Sequence, residues 1–133
     1  MSVTNISVPP LAPNATNKEL GDWGEELAVR LLESGSYTIL DRNWRSRHGE
    51  LDLVALAPAR TTLVAVEVKT RRVGGHVGAT EAISRAKLAR LRRLLGQWVD
   101  DKTLHPERLR LDLLAITVDA LGAWNFQHIR GIS

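Results

Sequence analysis

Gly49-Glu50-Leu51-Asp52-Leu53-Val54, followed by Val66-Glu67-Val68-Lys69, is the stretch that decides how this sequence folds. Three carboxylates and a lysine interrupt two runs that are otherwise apolar. Ionised groups in buried strands are costly unless partnered, so each one demands a role. Between the runs lies the turn-like Pro58-Ala59-Arg60. A turn centred on Ala59 and Arg60 makes the two runs an antiparallel hairpin and sets Asp52 opposite Glu67. Directly opposed residues project from one face about 5 Å apart, where two like charges require a proton or a cation between them. Strand alternation puts Lys69 on that face too, and Glu50 can line it from two residues before Asp52. Carboxylate oxygens of this kind match Mg²⁺ or Mn²⁺ rather than zinc. Such an ion binds a phosphate oxygen and helps to form a hydroxide nucleophile, while a lysine orients the attacking water or balances the charge of the pentavalent state. That is the chemistry of phosphodiester hydrolysis. The plainer alternative is a Glu67–Lys69 pair at the surface of an edge strand, with Asp52 ending its own strand.

Outward from the hairpin, the pattern predicts one mixed α/β domain of order α-β-β-β-α-β-β. Thr16 and Glu19 have capping-box spacing, and Leu20, Trp23, Leu27 and Leu31 recur at helical intervals up to Gly35. Tyr37 to Trp44 reads as a strand that turns at Ser46-Arg47-His48-Gly49 into the first apolar run. After the glycine-rich stretch Gly74-Gly75-His76-Val77-Gly78, a second helix is expected from Thr80 to about Asp101, with Ile83, Leu91, Leu94 and Trp98 on one face. Leu109 to Val118 and Trp124 to Ile129 complete the strands. Residues 1–16, with three prolines and no charge, read as a disordered N-terminal tail, and 17–133 as the folded domain.

Glu25 projects at the margin of the first helix's apolar stripe, within reach of a metal on the sheet, whereas Glu26 faces away. An acid favoured by the helix macrodipole explains Glu25 equally well. On the second helix Lys87 falls inside the apolar arc, so it either snorkels or points at something anionic. Asp112 in Arg110-Leu111-Asp112 is best explained by a salt bridge to a neighbouring arginine. His48, His76, His105 and His128 lack metal-ligand spacing and are expected in loops or at the surface.

The net charge of the 133-residue chain is only +3, but its distribution is uneven. Residues 69–93 hold eight basic side chains against Glu81, a net of +7, while residues 18–67 hold six bases and nine acids. A basic helix and loop directly after an acidic site match a phosphate-backbone footprint. Arg45, Arg71, Arg72, Lys87 and Arg90 are its candidate DNA contacts. A solvated basic face is the plain alternative; membrane binding is disfavoured because Leu91, Leu94 and Trp98 are needed to cover the sheet. The absence of cysteine excludes disulfides, thiolate metal sites and cysteine nucleophiles. No apolar run is long enough to cross a membrane as a helix. With neither a basic start nor an apolar stretch of signal-peptide length at the N-terminus, a cytoplasmic location is expected.

The segments Gly21-Asp22-Trp23-Gly24-Glu25-Glu26-Leu27-Ala28, Tyr37 to Arg45, Gly49 to Val54 and Val66 to Arg71 together resemble the bacterial YraN family, as do Ala82-Ile83 with Lys87 and Leu91, and Arg110-Leu111-Asp112. The resemblance spans about residues 18–129. That family is similar to the restriction-endonuclease-like, or PD-(D/E)xK, superfamily, and within it to archaeal Holliday-junction resolvases. The resemblance implies an αβββαβ core, a mixed central sheet flanked by helices, with an extra C-terminal strand here. It implies Asp52 and Glu67 as metal ligands, Lys69 as catalytic lysine and Glu25 as the helix acid; the expected site adds the Val68 carbonyl to the ligands, Glu25 to complete the shell and Glu50 behind them. The superfamily's proline before the aspartate is replaced by Leu51. The expected activity is Mg²⁺- or Mn²⁺-dependent cleavage of branched or structured DNA, and by analogy the expected assembly is a homodimer. Two rivals remain: a nucleic-acid-binding module that keeps the fold without cutting, and a structural protein whose acids form salt bridges.

Overall fold

A computed structural model describes residues 6–73 and 83–132. Its elements are α1 (Asn17–Ser34), β1 (Thr38–Ser46), β2 (Gly49–Leu56), β3 (Thr62–Arg72), α2 (Arg85–Lys102), β4 (Arg108–Val118) and β5 (Trp124–Ile129). The strands form one sheet in the order β1-β2-β3-β4-β5. Neighbours are antiparallel except β3 and β4, which run parallel. Parallel neighbours need a long crossover, and the segment carrying α2 provides it. The fold is the mixed α/β architecture expected, an αβββαβ core with a C-terminal strand.

The sheet is covered on both faces. Leu27, Leu31 and Leu32 of α1 cluster with Leu53, Ala55, Val64, Val66, Leu114 and Ile116. Leu91, Leu94, Leu95 and Trp98 of α2 cluster with Leu51, Val54, Leu63, Ala65 and Leu111. Central β3 therefore buries Leu63, Val64, Ala65 and Val66 in succession, as a strand sandwiched between two helices must.

Local signals set the ends of most elements. Thr16 accepts from the Glu19 amide at 3.1 Å and Glu19 returns a bond to the Thr16 amide at 2.9 Å, completing the capping box. The β2–β3 turn closes through Ala57 N to Thr62 O (3.0 Å), with Arg60 at φ 65°. That turn yields the predicted register, Leu53 opposite Val66 and Val54 opposite Ala65. The second helix starts later than its apolar periodicity predicts: Ser84 caps it by accepting from the Lys87 amide at 3.1 Å, which leaves Ile83 outside. Thr80 to Ala82 and the glycine-rich stretch with His76 lie outside the described residues.

Residues 6–16, part of the segment expected as a disordered tail, contain no helix or strand but make contacts with α1. Ile6 and Val8 pack against the α1 core, the Trp23 indole donates to Pro9 O at 2.9 Å, and Arg30 donates to Ser7 O. The apolar side chains of this segment gain burial, and its carbonyls, used by no helix or strand, accept from α1 and β3.

Gly24 is where α1 meets β3 most closely. A Cβ there would fall 1.8 Å from Thr70 Oγ1 and 2.8 Å from its Cβ. In an open helix position Gly→Ala stabilises by about 1 kcal/mol. Here overpacking reverses the sign: Gly24→Ala is expected to cost about 1–3 kcal/mol, read as a lower urea midpoint. The cost should shrink when Thr70 is also replaced by Gly. An equal cost in both backgrounds would rule the clash out.

Candidate active site

The sheet opens at Asp52. The β2–β3 ladder ends at Leu53↔Val66, one rung before Asp52 and Glu67 would pair. The β1–β2 ladder joins Arg42 to Leu53 and Trp44 to Leu51, and skips Asn43 opposite Asp52. Asn43 sits there at φ 52°. Leu51 packs on the α2 side and Leu53 on the α1 side, although residues two apart in a regular strand share a face. The strand rolls over at Asp52. Its carboxylate, released from the pleat, accepts from the Val68 amide at 2.9 Å. The direct backbone pairing of Asp52 with Glu67 inferred from the turn thus does not form.

Both acids nevertheless face a common space. A depression of about 220 Å³ on the α2 side is lined by Glu50, Asp52, Glu67, Lys87 and Arg90. A larger one of about 790 Å³ on the α1 side is lined by Glu25, Asn43, Arg45, Glu50, Asp52 and Val68, among others. Asp52 and Glu50 belong to both, so Asp52 is flanked by Glu25 from the α1 side and by Glu67 from the α2 side. Burial pushes the Asp52 carboxyl up to about 7, and the charge of Glu67 adds to it. The Val68 amide opposes, while Glu25 and Glu50 contribute further repulsion. Burial also raises Glu25, against a 2.6 Å hydrogen bond from Asn43 Nδ2. Glu67, with its side chain 13% exposed, is met by Lys87 Nζ at 3.0 Å. Glu50 pairs with Arg45 at 3.2 Å in the open.

Among the described residues no three acidic or histidine side chains are gathered tightly enough to hold a metal ion. The chemistry of the donors still fits a hard divalent cation. All are carboxylates, and an aspartate whose carboxyl is pushed up first by burial and then by neighbouring acids is in the state that a nearby cation reverses.

The other candidates fall in different places. Lys69 shares the α2 face of β3 with Glu67 by alternation, is half-buried, and lines neither depression. Arg71 lies on that face at the far end of β3. Arg72 lies on the opposite face, where its guanidinium donates to the carbonyls of Ala12 and Ala15, both at 3.4 Å. It serves the N-terminal segment, away from the α2 face that carries Glu67, Lys69 and Arg71. Glu26, expected in solvent, bridges Arg30 (3.1 Å) and Arg42 (3.2 Å).

Two features escaped the sequence reading. Asn43 holds Glu25, and no local pattern announces a left-handed asparagine inside a strand. The second is the surroundings of Asp112, which is wholly buried. Arg110 donates to it at 2.8 and 2.9 Å, as the neighbouring arginine was expected to. The Gly131 amide adds 3.0 Å and His128 Nε2 2.8 Å. His128 is therefore not a surface residue but an interior one on β5. Burial by itself would raise Asp112, but the bonds from His128, Arg110 and Gly131 outweigh it and hold the carboxyl below its ordinary range. Arg110 also donates to Tyr37 Oη at 2.8 Å, tying β4 to the connection between α1 and β1. This network lies away from the opening and is structural.

Residues 24–116 match the model of the uncharacterised protein family UPF0102. The chain belongs to that family. UPF0102 is another designation of the YraN family that the motifs resemble. The matched stretch runs from Gly24 through the whole opening to β4, so it contains every acid just described. A UPF0102 protein of Kineococcus radiotolerans is 47% identical over 115 residues, covering 86% of this chain and 93% of its own. One of Beutenbergia cavernae is 44% identical over 115 residues, covering 85% and 94%. One of Mycobacterium sp. (strain KMS) is 36% identical over 135 residues, covering both chains fully. Among the described residues no helix is long and apolar enough to cross a membrane.

Proposed function

We propose that this UPF0102 member is a Mg²⁺- or Mn²⁺-dependent endonuclease that hydrolyses phosphodiester bonds of branched or structured DNA in the cytoplasm. The observation that supports this best is buried Asp52, where the sheet opens, acted on by Glu67, Glu25 and Glu50 beside a basic helix start. Asp52 and Glu67, with the Val68 carbonyl, hold the ion, and Glu25 completes the set from α1. When bound, the ion supplies Lewis-acid activation of the phosphate and eases deprotonation of the attacking water. Lys69 orients that water and balances charge as the phosphorus becomes pentavalent. Lys87, Arg90, Arg45 and Arg71 hold the phosphate backbone on either side. A homodimer, as in the resolvases to which the family is similar, would present two such sites to a junction.

Single-turnover cleavage of duplex, flap and four-way-junction DNA with Mg²⁺ or Mn²⁺ tests the proposal. Lys69→Ala is expected to lower the cleavage rate by about 10²–10³-fold while binding of the junction is retained. Cleavage undiminished in Lys69→Ala would remove Lys69 from the mechanism. One observation favours a second reading, a binding module that does not cut: Lys87 already occupies Glu67. That reading predicts salt-sensitive junction binding with no cleavage by either metal.

A further inference from the structure

We infer that Lys87 is a built-in competitor of the divalent metal ion at Glu67, so that metal entry and release of Lys87 toward the DNA phosphate are one coupled event. This rests on the nuclease reading and adds to it a control on metal entry.

Lys87 Nζ lies 3.0 Å from Glu67 Oε1 and lines the same small depression as Asp52. A divalent ion shared by Asp52 and Glu67 has to enter this space. A monovalent ammonium there gives Glu67 a counter-charge but provides no shared ligand for Asp52. The position is unusual for a lysine. Ser84 is the N-cap, so Lys87 is in the first turn of α2, which contains no acid. The positive end of the helix macrodipole disfavours a cation there, and Glu67 offsets that repulsion.

The lysine is also placed to leave. Its side chain is 37% exposed against 13% for Glu67. Its flexible four-carbon stem lets the ammonium move to solvent or to a phosphate without disturbing the helix. Once Glu67 turns to a metal ion, the ammonium is left in the first helical turn near Arg90, on the side where the backbone of DNA would lie. A phosphate that draws Lys87 away frees Glu67 in the same way. Each ligand therefore strengthens the other, as linkage requires. The apparent metal affinity of the DNA-free protein is lowered by the small fraction of time that Glu67 is unpaired.

Mn²⁺ binding to the full-length protein without DNA, followed by electron paramagnetic resonance of the free ion, tests this without any cleavage. Lys87→Met is expected to tighten Mn²⁺ binding by about tenfold or more. Lys87→Arg, which keeps the charge, should leave it weak. Arg90→Met removes an equal charge from the same depression but no ion pair with Glu67, and should tighten binding by less than about threefold. Adding Glu67→Gln to Lys87→Met should abolish the gain. If Lys87→Met binds no tighter than Arg90→Met, while Asp52→Asn abolishes wild-type binding, the inference falls and the nuclease reading stands. If Mn²⁺ binds neither the wild type nor Lys87→Met, or binds both regardless of Asp52, both fall.

Discussion

Asp52→Asn is expected to abolish metal-dependent cleavage, by about 10³-fold or more, and at the same time to stabilise the metal-free protein at alkaline pH. The two effects have one cause. The Asp52 carboxyl is held at about 7, first by burial and then by the Glu67 charge, against an ordinary 3.8. Between these values the unfolded chain releases its proton while the folded chain retains it. Stability therefore falls as pH rises through that window and is lowest above 7. Asparagine does not titrate, and its Oδ1 still accepts from the Val68 amide that Asp52 uses at 2.9 Å. In EDTA at pH 8 the variant should exceed the wild type by about 2–4 kcal/mol, and near pH 4 the two should converge. Thermal melts at both pH values measure this. Mg²⁺ should raise the wild-type melting temperature and leave that of the variant nearly unchanged. A variant less stable than the wild type at pH 8 would mean that Asp52 is not the strained acid of the site.

Asp112→Ala is expected to have the largest effect on folding, a loss of about 3–5 kcal/mol, and to leave no role in metal binding to explain. The change strips Arg110 and His128 of the carboxylate they share and removes the acceptor of the Gly131 amide. Against a typical total of about 5–15 kcal/mol, this is enough to leave much of the protein unfolded at 37 °C. Asp112→Asn retains acceptor oxygen and should cost less. The pH dependence has the opposite sign to that of Asp52. The folded carboxyl is held low, so its contribution is present above the unfolded value of 3.8 and is lost as pH falls through the folded one. Urea unfolding of the wild type and both variants at pH 7 and again below about pH 3 measures the difference, which should narrow at the lower pH. An Asp112→Ala protein as stable as the wild type would contradict the network.

Much of this was legible in the residues. Thr16 and Glu19 form the capping box their spacing predicts, because a cap is decided within one helical turn. The turn at Ala59 and Arg60 set the β2–β3 register, because a short hairpin leaves few ways to align its strands. Strand alternation then placed Glu67 and Lys69 on one face without knowledge of the fold. The start of α2 was misplaced because the apolar spacing of Ile83 with Leu91 continues a helical period across the serine that caps the helix. The helical spacing puts Lys87 inside the apolar arc, where it either snorkels or faces an anion. It faces an anion, one supplied by the protein itself. The interior place of His128 is not legible locally, because its partner Asp112 is on another strand and the β4–β5 pairing that joins them is not encoded by any spacing near either residue.

The sequence by itself determined which acids stand on which strand, the family, and the division of charge between the strands and the helix that follows them. These depend on turns, caps and the two periods of regular structure, all of which act over a few residues. Only the tertiary structure decided that the ladders part at Asp52, that Asn43 holds Glu25, that Arg72 serves the N-terminal segment, and that Lys87 closes on Glu67. Each of these joins groups brought together only when both helices press on the sheet. Their energies come from burial and from charges in one another's field, and neither exists until the chain has folded.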